Sequence, residues 1–206
     1  VVTFPRGGSD ITGAILAAAV GADEYENFTD VDSVFSVDPR IVPDARPIAL
    51  LTYRELRELA YAGFGVFHDE AIVPAVQARI PIRIRNTNRP AAPGTRVVPT
   101  RPLRRSGGVV GVASADGFCT LSLDKYLMNR EIGFGRRLLQ IIEEEGLSYE
   151  HVPSGMDTIS VVMREAALPP ARRALILDRC RRELKADDAE FETGLALIMV
   201  VGEGMR

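Results

Sequence analysis

Cysteine is scarce: Cys119 and Cys180 are the only two in 206 residues, and neither sits in a C-x-x-C pair or at a Cys/His spacing. That excludes a disulfide framework and a zinc site of the usual spacing, and it fits a reducing cytosol. Long apolar runs are missing as well. None reaches the roughly 18 residues of a membrane-spanning helix, and no charged-then-apolar leader opens the chain, so a cytoplasmic protein is expected. An excess of positive charge is also lacking. The net charge of −3 provides no broad field for nucleic-acid phosphates or anionic lipid, which leaves small molecules as the expected ligands.

What is present is the balance of a globular protein. Hydrophobic residues make up 46% and charged residues 26%, enough apolar material for a core and too little charge for disorder. The length allows two domains of ~100 residues. Both ends read as strands in progress, Val1 to Phe4 and Leu195 to Val201, so the chain is expected to be part of something longer.

From Val1 to about Val98 strands and helices alternate. A strand at Val1–Phe4, a Gly-rich turn, a helix over Ser9–Val20 and a strand at Glu24–Phe28 come first. Helices over Tyr53–Ala62 and Asp69–Ala78 and a strand at Ile80–Arg85 follow, an order that implies a mainly parallel sheet with helices on its faces. Ser9 or Asp10 can cap the first helix and Gly21 can stop it. Thr52 and Glu55 match the capping box, in which each side chain satisfies a free backbone N–H of the first turn.

Prolines and glycines crowd the stretch from Arg89 to Gly108, which reads as a linker or domain edge. Beyond it the pattern is strand Val109–Leu123, helix Phe134–Glu145, strands Ser148–Pro153 and Thr158–Arg164, helix Pro170–Leu184, strand Ala189–Thr193, Gly194 and a final strand. Two helices on a mainly antiparallel sheet make a ferredoxin-like βαββαβ unit.

Four clusters carry candidate chemistry. In Arg6-Gly7-Gly8-Ser9-Asp10, two glycines let the backbone approach a ligand and the helix start offers free N–H groups to a phosphate or carboxylate. Arg6 can pair with such an anion, and Asp10 can hold a metal or a cationic side chain. An ordinary Gly-rich turn with a cap is the plainer reading, and neither the Walker nor the full dinucleotide pattern is present. The second cluster runs from Phe28 through Thr29, Asp30 and Asp32 to Phe35, then Asp38-Pro39-Arg40. It follows a strand end, where open α/β sheets bind nucleotides, and Arg40 can meet phosphate; a plain loop of solvated charges is the alternative.

His68 opens a helix after a Gly-rich stretch and is more often a capping or core residue than a catalytic one. His151 has no partner at metal-ligand spacing, and both cysteines suit small buried positions. The fourth cluster joins Met128, Glu131 and Phe134, in a loop entering a helix, with Tyr149 and Glu150 on a neighbouring strand. A helix start for a carboxylate and a glutamate for an ammonium suit a free amino acid; surface charges on a small module are the alternative.

Together the clusters resemble the aspartate kinase family. The stretch from Arg6 to Ala14, then Thr29-Asp30-Val31, Asp38-Pro39-Arg40, Tyr53-Arg54-Glu55, His68, Pro81-Ile82 and Asn86-Thr87, is similar to that family in order and spacing. The resemblance implies that residues 1–98 are the carboxyl, nucleotide-binding part of an amino-acid-kinase domain and 99–108 a linker. It implies a first ACT domain at 109–194 and the first strand of a second at 195–206. Arg6, Gly7, Gly8 and Ser9 would then hold L-aspartate, with Asp10 orienting a catalytic lysine. Thr29, Asp30 and Phe35 would surround the adenosine of ATP, and Asp38 and Arg40 would face the phosphates of its Mg2+ complex. The implied reaction is phosphoryl transfer to the aspartate side chain, achieved by positioning and charge neutralisation. Met128, Glu131, Phe134, Tyr149 and Glu150 would bind a feedback amino acid, lysine or threonine, and a homodimer through ACT domains is implied.

Two departures stand out. The family's Lys-Phe-Gly-Gly strand has no counterpart, since Lys125 and Lys185 are the only lysines, and Gly65 stands where many members have lysine. The chain by itself is therefore expected to be inactive. A non-catalytic amino-acid-sensing protein with a degenerate kinase fold is the alternative reading, and a glutamate or acetylglutamate kinase a third, against which the ACT half argues.

Overall fold

A computed structural model describes residues 8–61, 63, 72–102, 108–203 and 205. The expected strand at Val1–Phe4, His68 and Gly65 lie outside the described residues. The chain divides into two compact units: Val1–Ala115 with Ile198–Arg206, and Asp116–Leu197. The sequence placed its seams at 98/109 and 194/195.

In the first unit, α1 (Gly8–Val20) leads into β1 (Tyr25–Thr29), and β2 (Leu50–Thr52) runs directly into α2 (Tyr53–Tyr61). A short α3 (Val73–Gln77) precedes β3 (Ile82–Asn86) and β4 (Thr95–Val98). The sheet order is β1-β3-β4-β2. β1 pairs parallel to β3 from Tyr25↔Ile82 to Thr29↔Asn86, and β2 lies parallel to β4. The central β3/β4 pair is antiparallel, a departure from a uniformly parallel sheet.

β4 lies inside the stretch expected to be a linker. Gly94 explains how a strand starts there: it has φ +69°, and a Cβ on it would sit 2.0 Å from the Ile84 carbonyl oxygen of the neighbouring strand. The core follows the two periods. Ile82 and Ile84 alternate inward on β3, Leu56 and Leu59 face inward from α2, and small Ala14, Ala17 and Ala75 line the inner sides of α1 and α3. The outward β3 arginines are paired: Arg83 with Glu24 at 2.8 Å and Arg85 with Glu26 at 2.6 Å.

The expected capping box at α2 is present, with Thr52 N–H donating to Glu55 Oε2 at 2.9 Å and Glu55 N–H donating to Thr52 Oγ1 at 3.2 Å.

α4 (Phe134–Glu144), β6 (Thr158–Arg164) and α5 (Pro170–Glu183) lie in the second unit, together with most of β5 (Gly111–Asp124) and of β7 (Asp188–Val201), and the sheet order is β6-β5-β7. Phe134, Leu138, Ile141 and Ile142 make the buried stripe of α4, and Ile159, Val161 and Met163 the inward side of β6. Two expectations change. Residues 148–153 make only isolated contacts with β6, such as His151↔Val162, because Pro153 lacks a donor and Gly155 follows. β7 does not stop at Gly194, which takes φ +72° inside one continuous strand.

Candidate functional site

Parallel strands leave their last carbonyls and side chains at one edge of a sheet, and here β1 and β3 end together. Thr87 N–H donates to the Thr29 carbonyl at 2.8 Å, closing the pair. Asn86, buried at the end of β3, donates from Nδ2 to Asp32 Oδ1 at 2.8 Å and to the Asp30 carbonyl at 3.3 Å. Asp32 is also paired with Arg89. The loop after β1 is thereby pinned to the strand beside it. Beyond this edge opens a cleft of about 430 Å³, within the range of small-molecule sites.

Asp30, Phe35, Asp38 and Arg40, four of the five residues expected around a nucleotide, line that cleft. Thr29 stands at its margin with its hydroxyl 3.2 Å from Asp30 Oδ1. Pro39 sets the turn that points Asp38 and Arg40 at each other: Arg40 Nη2 is 2.7 Å from Asp38 Oδ2, and the Arg40 backbone N–H donates to Oδ1 at 2.8 Å. These contacts hold the Asp38 carboxyl below its ordinary range, first through the guanidinium and then through the backbone N–H. Arg40 is 87% exposed, and its Nη1 has no partner among the described residues. Val112, Ser114 and Gly63 also line the cleft and carried no signal in the sequence.

The expected aspartate cluster is described in part. Arg6 and Gly7 lie outside the described residues; Gly8 and Ser9 open α1, and Asp10 sits in its first turn, where a carboxylate opposes the helix dipole favourably. The Asp10 carboxylate is not solvated freely. Asn27, in the middle of β1 and 6% exposed, donates from Nδ2 to Asp10 Oδ1 at 3.0 Å and to the Tyr25 hydroxyl at 3.1 Å. The Tyr25 hydroxyl in turn donates to the Asp10 carbonyl at 3.2 Å. Asn27 precedes Thr29 by two residues, about 7 Å along a strand. One strand therefore carries both the contact to Asp10 and the margin of the cleft. Asn27 was not among the expected site residues; its one sequence signal is a polar amide at an inward position of an alternating strand.

In the second unit the expected effector residues are largely engaged. Met128 and Phe134 are buried in the core, the latter 5.2 Å below the Lys125 ammonium. Glu131 pairs with Lys125 at 2.6 Å and with Arg137, contacts that hold its carboxyl below the ordinary range, Lys125 foremost. Glu150 pairs with Arg164 at 3.1 Å, and Tyr149 is half exposed. Leu127, at the head of this loop, adopts φ +59°, held by its N–H donating to Asp157 Oδ1 at 2.9 Å.

Both cysteines are buried, and burial pushes the Cys180 thiol up to about 11, far from a reactive thiolate. Among the described residues no three His, Cys, Asp or Glu side chains gather as a metal cage, and no helix is long and apolar enough to cross a membrane.

Residues 2–86 match the model of the amino acid kinase family. The whole chain is 58% identical over 206 residues to aspartokinase 3 of Bacillus subtilis, covering 45% of that protein. The crystal structure of Clostridium acetobutylicum aspartate kinase superposes with a TM-score of 0.89 at 42% identity, over 98% of this chain and 47% of that one. E. coli aspartokinase III is similar both in complex with aspartate and ADP (TM-score 0.75, 26% identity, 97% and 44% covered) and in complex with lysine and aspartate (0.73, 28%, 98% and 44%). The chain thus spans just under half the length of each of these relatives.

Proposed function

Because this chain belongs to the aspartokinase family, we propose that the full-length protein containing it transfers the γ-phosphoryl group of ATP to the side-chain carboxylate of L-aspartate. A carboxylate oxygen of aspartate forms the new P–O bond, the bond from the γ-phosphorus to the β,γ-bridging oxygen breaks, and ADP leaves with 4-phospho-L-aspartate as the product. The observation that carries the reading is the gathering of Asp30, Phe35, Asp38 and Arg40 on one cleft at the carboxyl ends of two parallel strands.

In this reading the cleft takes the nucleotide. Phe35 and Thr29 flank the adenosine, and Arg40, tied to Asp38 by two of its nitrogens, turns its remaining donors to the phosphates. Arg6, Gly7, Gly8 and Ser9 hold aspartate at the start of α1, where backbone N–H groups suit its carboxylates. Asp10 orients a lysine supplied by another part of the protein, because residues 1–98 contain none. Mg2+ in a nucleotide site needs only one or two protein carboxylates beside phosphates and water, and in this reading Asp38, which faces the phosphates beside Arg40, would supply one while Asp30 stays with the adenosine. The ion would neutralise phosphate charge.

The same proposal assigns residues 1–98 to the carboxyl part of the catalytic domain, 99–108 to a linker, 109–194 to a first ACT domain and 195–206 to the first strand of a second. Feedback by lysine or threonine would act near the Met128–Phe134 loop and Tyr149-Glu150, in a cytoplasmic homodimer. Support for an amino-acid effector comes from the lysine bound to E. coli aspartokinase III. The test is direct. Full-length protein with aspartate, Mg-ATP and hydroxylamine should yield aspartyl hydroxamate, and yield at the no-enzyme background would sink the proposal. Residues 1–206 alone should yield none.

A further inference from the structure

Asp10 is given a catalytic part above, but a carboxylate on the first turn of a helix has several rotamers, and orienting a lysine requires one of them. The structure supplies a constraint in an unexpected place. Asn27 is nearly fully buried, and a buried amide without partners is costly, so where its N–H groups go is informative. Both are used. One reaches Asp10 Oδ1 at 3.0 Å and the other the Tyr25 hydroxyl at 3.1 Å, while the phenol proton goes to the Asp10 backbone carbonyl at 3.2 Å.

A carboxylate can only accept, so the amide nitrogen must be the atom facing Asp10, and the phenol, having accepted from the amide, must donate onward. The proton arrangement is therefore determined by chemistry: one Asn27 N–H ends on the Asp10 carboxylate, the other on the Tyr25 hydroxyl, which passes its own proton to the Asp10 backbone carbonyl. Gly13 makes the arrangement possible. It lies one turn along α1, and a Cβ there would stand 2.6 Å from the Tyr25 hydroxyl oxygen.

We infer that Asn27 and Tyr25 are positioning residues for the phosphoryl-transfer reaction: through the hydrogen-bonded group Asn27–Tyr25–Asp10 they hold the Asp10 carboxylate in its working rotamer. The inference rests on the proposed kinase reading. It separates Asn27 from the cleft residues, which touch nucleotide; Asn27 touches neither substrate and acts through Asp10.

The experiment uses the full-length protein and the hydroxamate assay on wild type, Asn27→Leu and Tyr25→Phe, with a thermal melt of each. Asn27→Leu keeps the volume and removes the amide; kcat should fall about 100-fold, the scale of a small misplacement of a catalytic group. The KM for ATP should stay within about twofold, since the cleft is untouched. Tyr25→Phe removes one hydroxyl and should lower kcat about tenfold, again without moving that KM. A purely structural role would lower the melting temperature and disturb KM with kcat. Wild-type kcat in either folded variant, or a parallel rise in the ATP KM, overturns the inference; should Asn27→Leu fail to fold, Tyr25→Phe decides. An inactive wild type overturns the kinase reading, and this inference with it.

Discussion

Replacing Glu55 by alanine should destabilise the first unit as much as a large cavity in its core would. The Glu55 side chain has no exposure, at the third position of α2. Its two oxygens take four donors: the Thr52 N–H at 2.9 Å, the Glu203 N–H at 3.0 Å, Arg101 Nε at 3.0 Å and Arg101 Nη2. Arg101 is itself only 12% exposed. Alanine would leave this guanidinium without its counter-charge and two backbone donors without acceptors. Removing one partner of a buried ion pair costs about 3–5 kcal/mol, a large part of the roughly 5–15 kcal/mol that holds a domain together. At about 3–4 °C per kcal/mol for a unit of this size, the melting temperature should fall by about 10–20 °C.

Glutamine keeps the shape but turns an NH2 group toward a donor, and should cost about 2–3 kcal/mol. The pH dependence has a definite sign. Burial pushes the Glu55 carboxyl up, but the hydrogen bonds from Arg101 and the Glu203 and Thr52 N–H groups outweigh it, leaving the folded value below the ordinary 4.5. A depressed carboxyl contributes its stability fully above the ordinary value and loses it as pH falls through the folded one. The gap between wild type and Glu55→Gln should thus be constant near neutrality and narrow below pH 4.5. Urea melts followed by circular dichroism measure both effects. A loss under about 1 kcal/mol for Glu55→Ala, the range of an exposed pair, would refute the reasoning.

Gly13→Ala should run against helix propensity. Alanine normally gains about 0.5–1 kcal/mol over glycine inside a helix, but here its methyl would displace the Tyr25 hydroxyl, so thermal melts should show a loss and the hydroxamate assay a lower kcat. Arg40→Ala should raise the KM for ATP about tenfold, the scale of one charge-assisted hydrogen bond, while leaving kcat nearly unchanged. Arg179 joins Glu144 and Glu145 at the end of α4 to its own helix, α5, and to Glu183. Arg179→Met should lower the melting temperature of the second unit, by a margin that shrinks in about 1 M salt.

Much of the fold was written locally. The α2 start was legible because a capping box is satisfied by residues three apart, and α4 because its apolar residues recur at helical spacing. The cleft residues were legible in part, since a strand end followed by Asp30 and an Asp-Pro-Arg turn is a short-range pattern. β4 was not, because Gly94 and the surrounding prolines read as punctuation, and only the approach of the Ile84 carbonyl shows why glycine is needed there. The expected strand at Ser148–Pro153 erred in the other direction: Tyr149 and Val152 favour a strand, but Pro153 cannot extend the ladder.

The sequence by itself determined most of the helices and the strands with a clear period, and which clusters could meet an anion, because caps, periods and turn residues act within a few positions. Tertiary structure alone decided which side chains are free to act. Met128, Glu131 and Phe134 share one loop, yet two are buried and the third is held by Lys125 and Arg137. Asn27 and Asp10 are 17 residues apart and met only when α1 packed beside β1. Hydrogen bonds of that kind form between surfaces that the chain brings together in folding, and no local pattern encodes them.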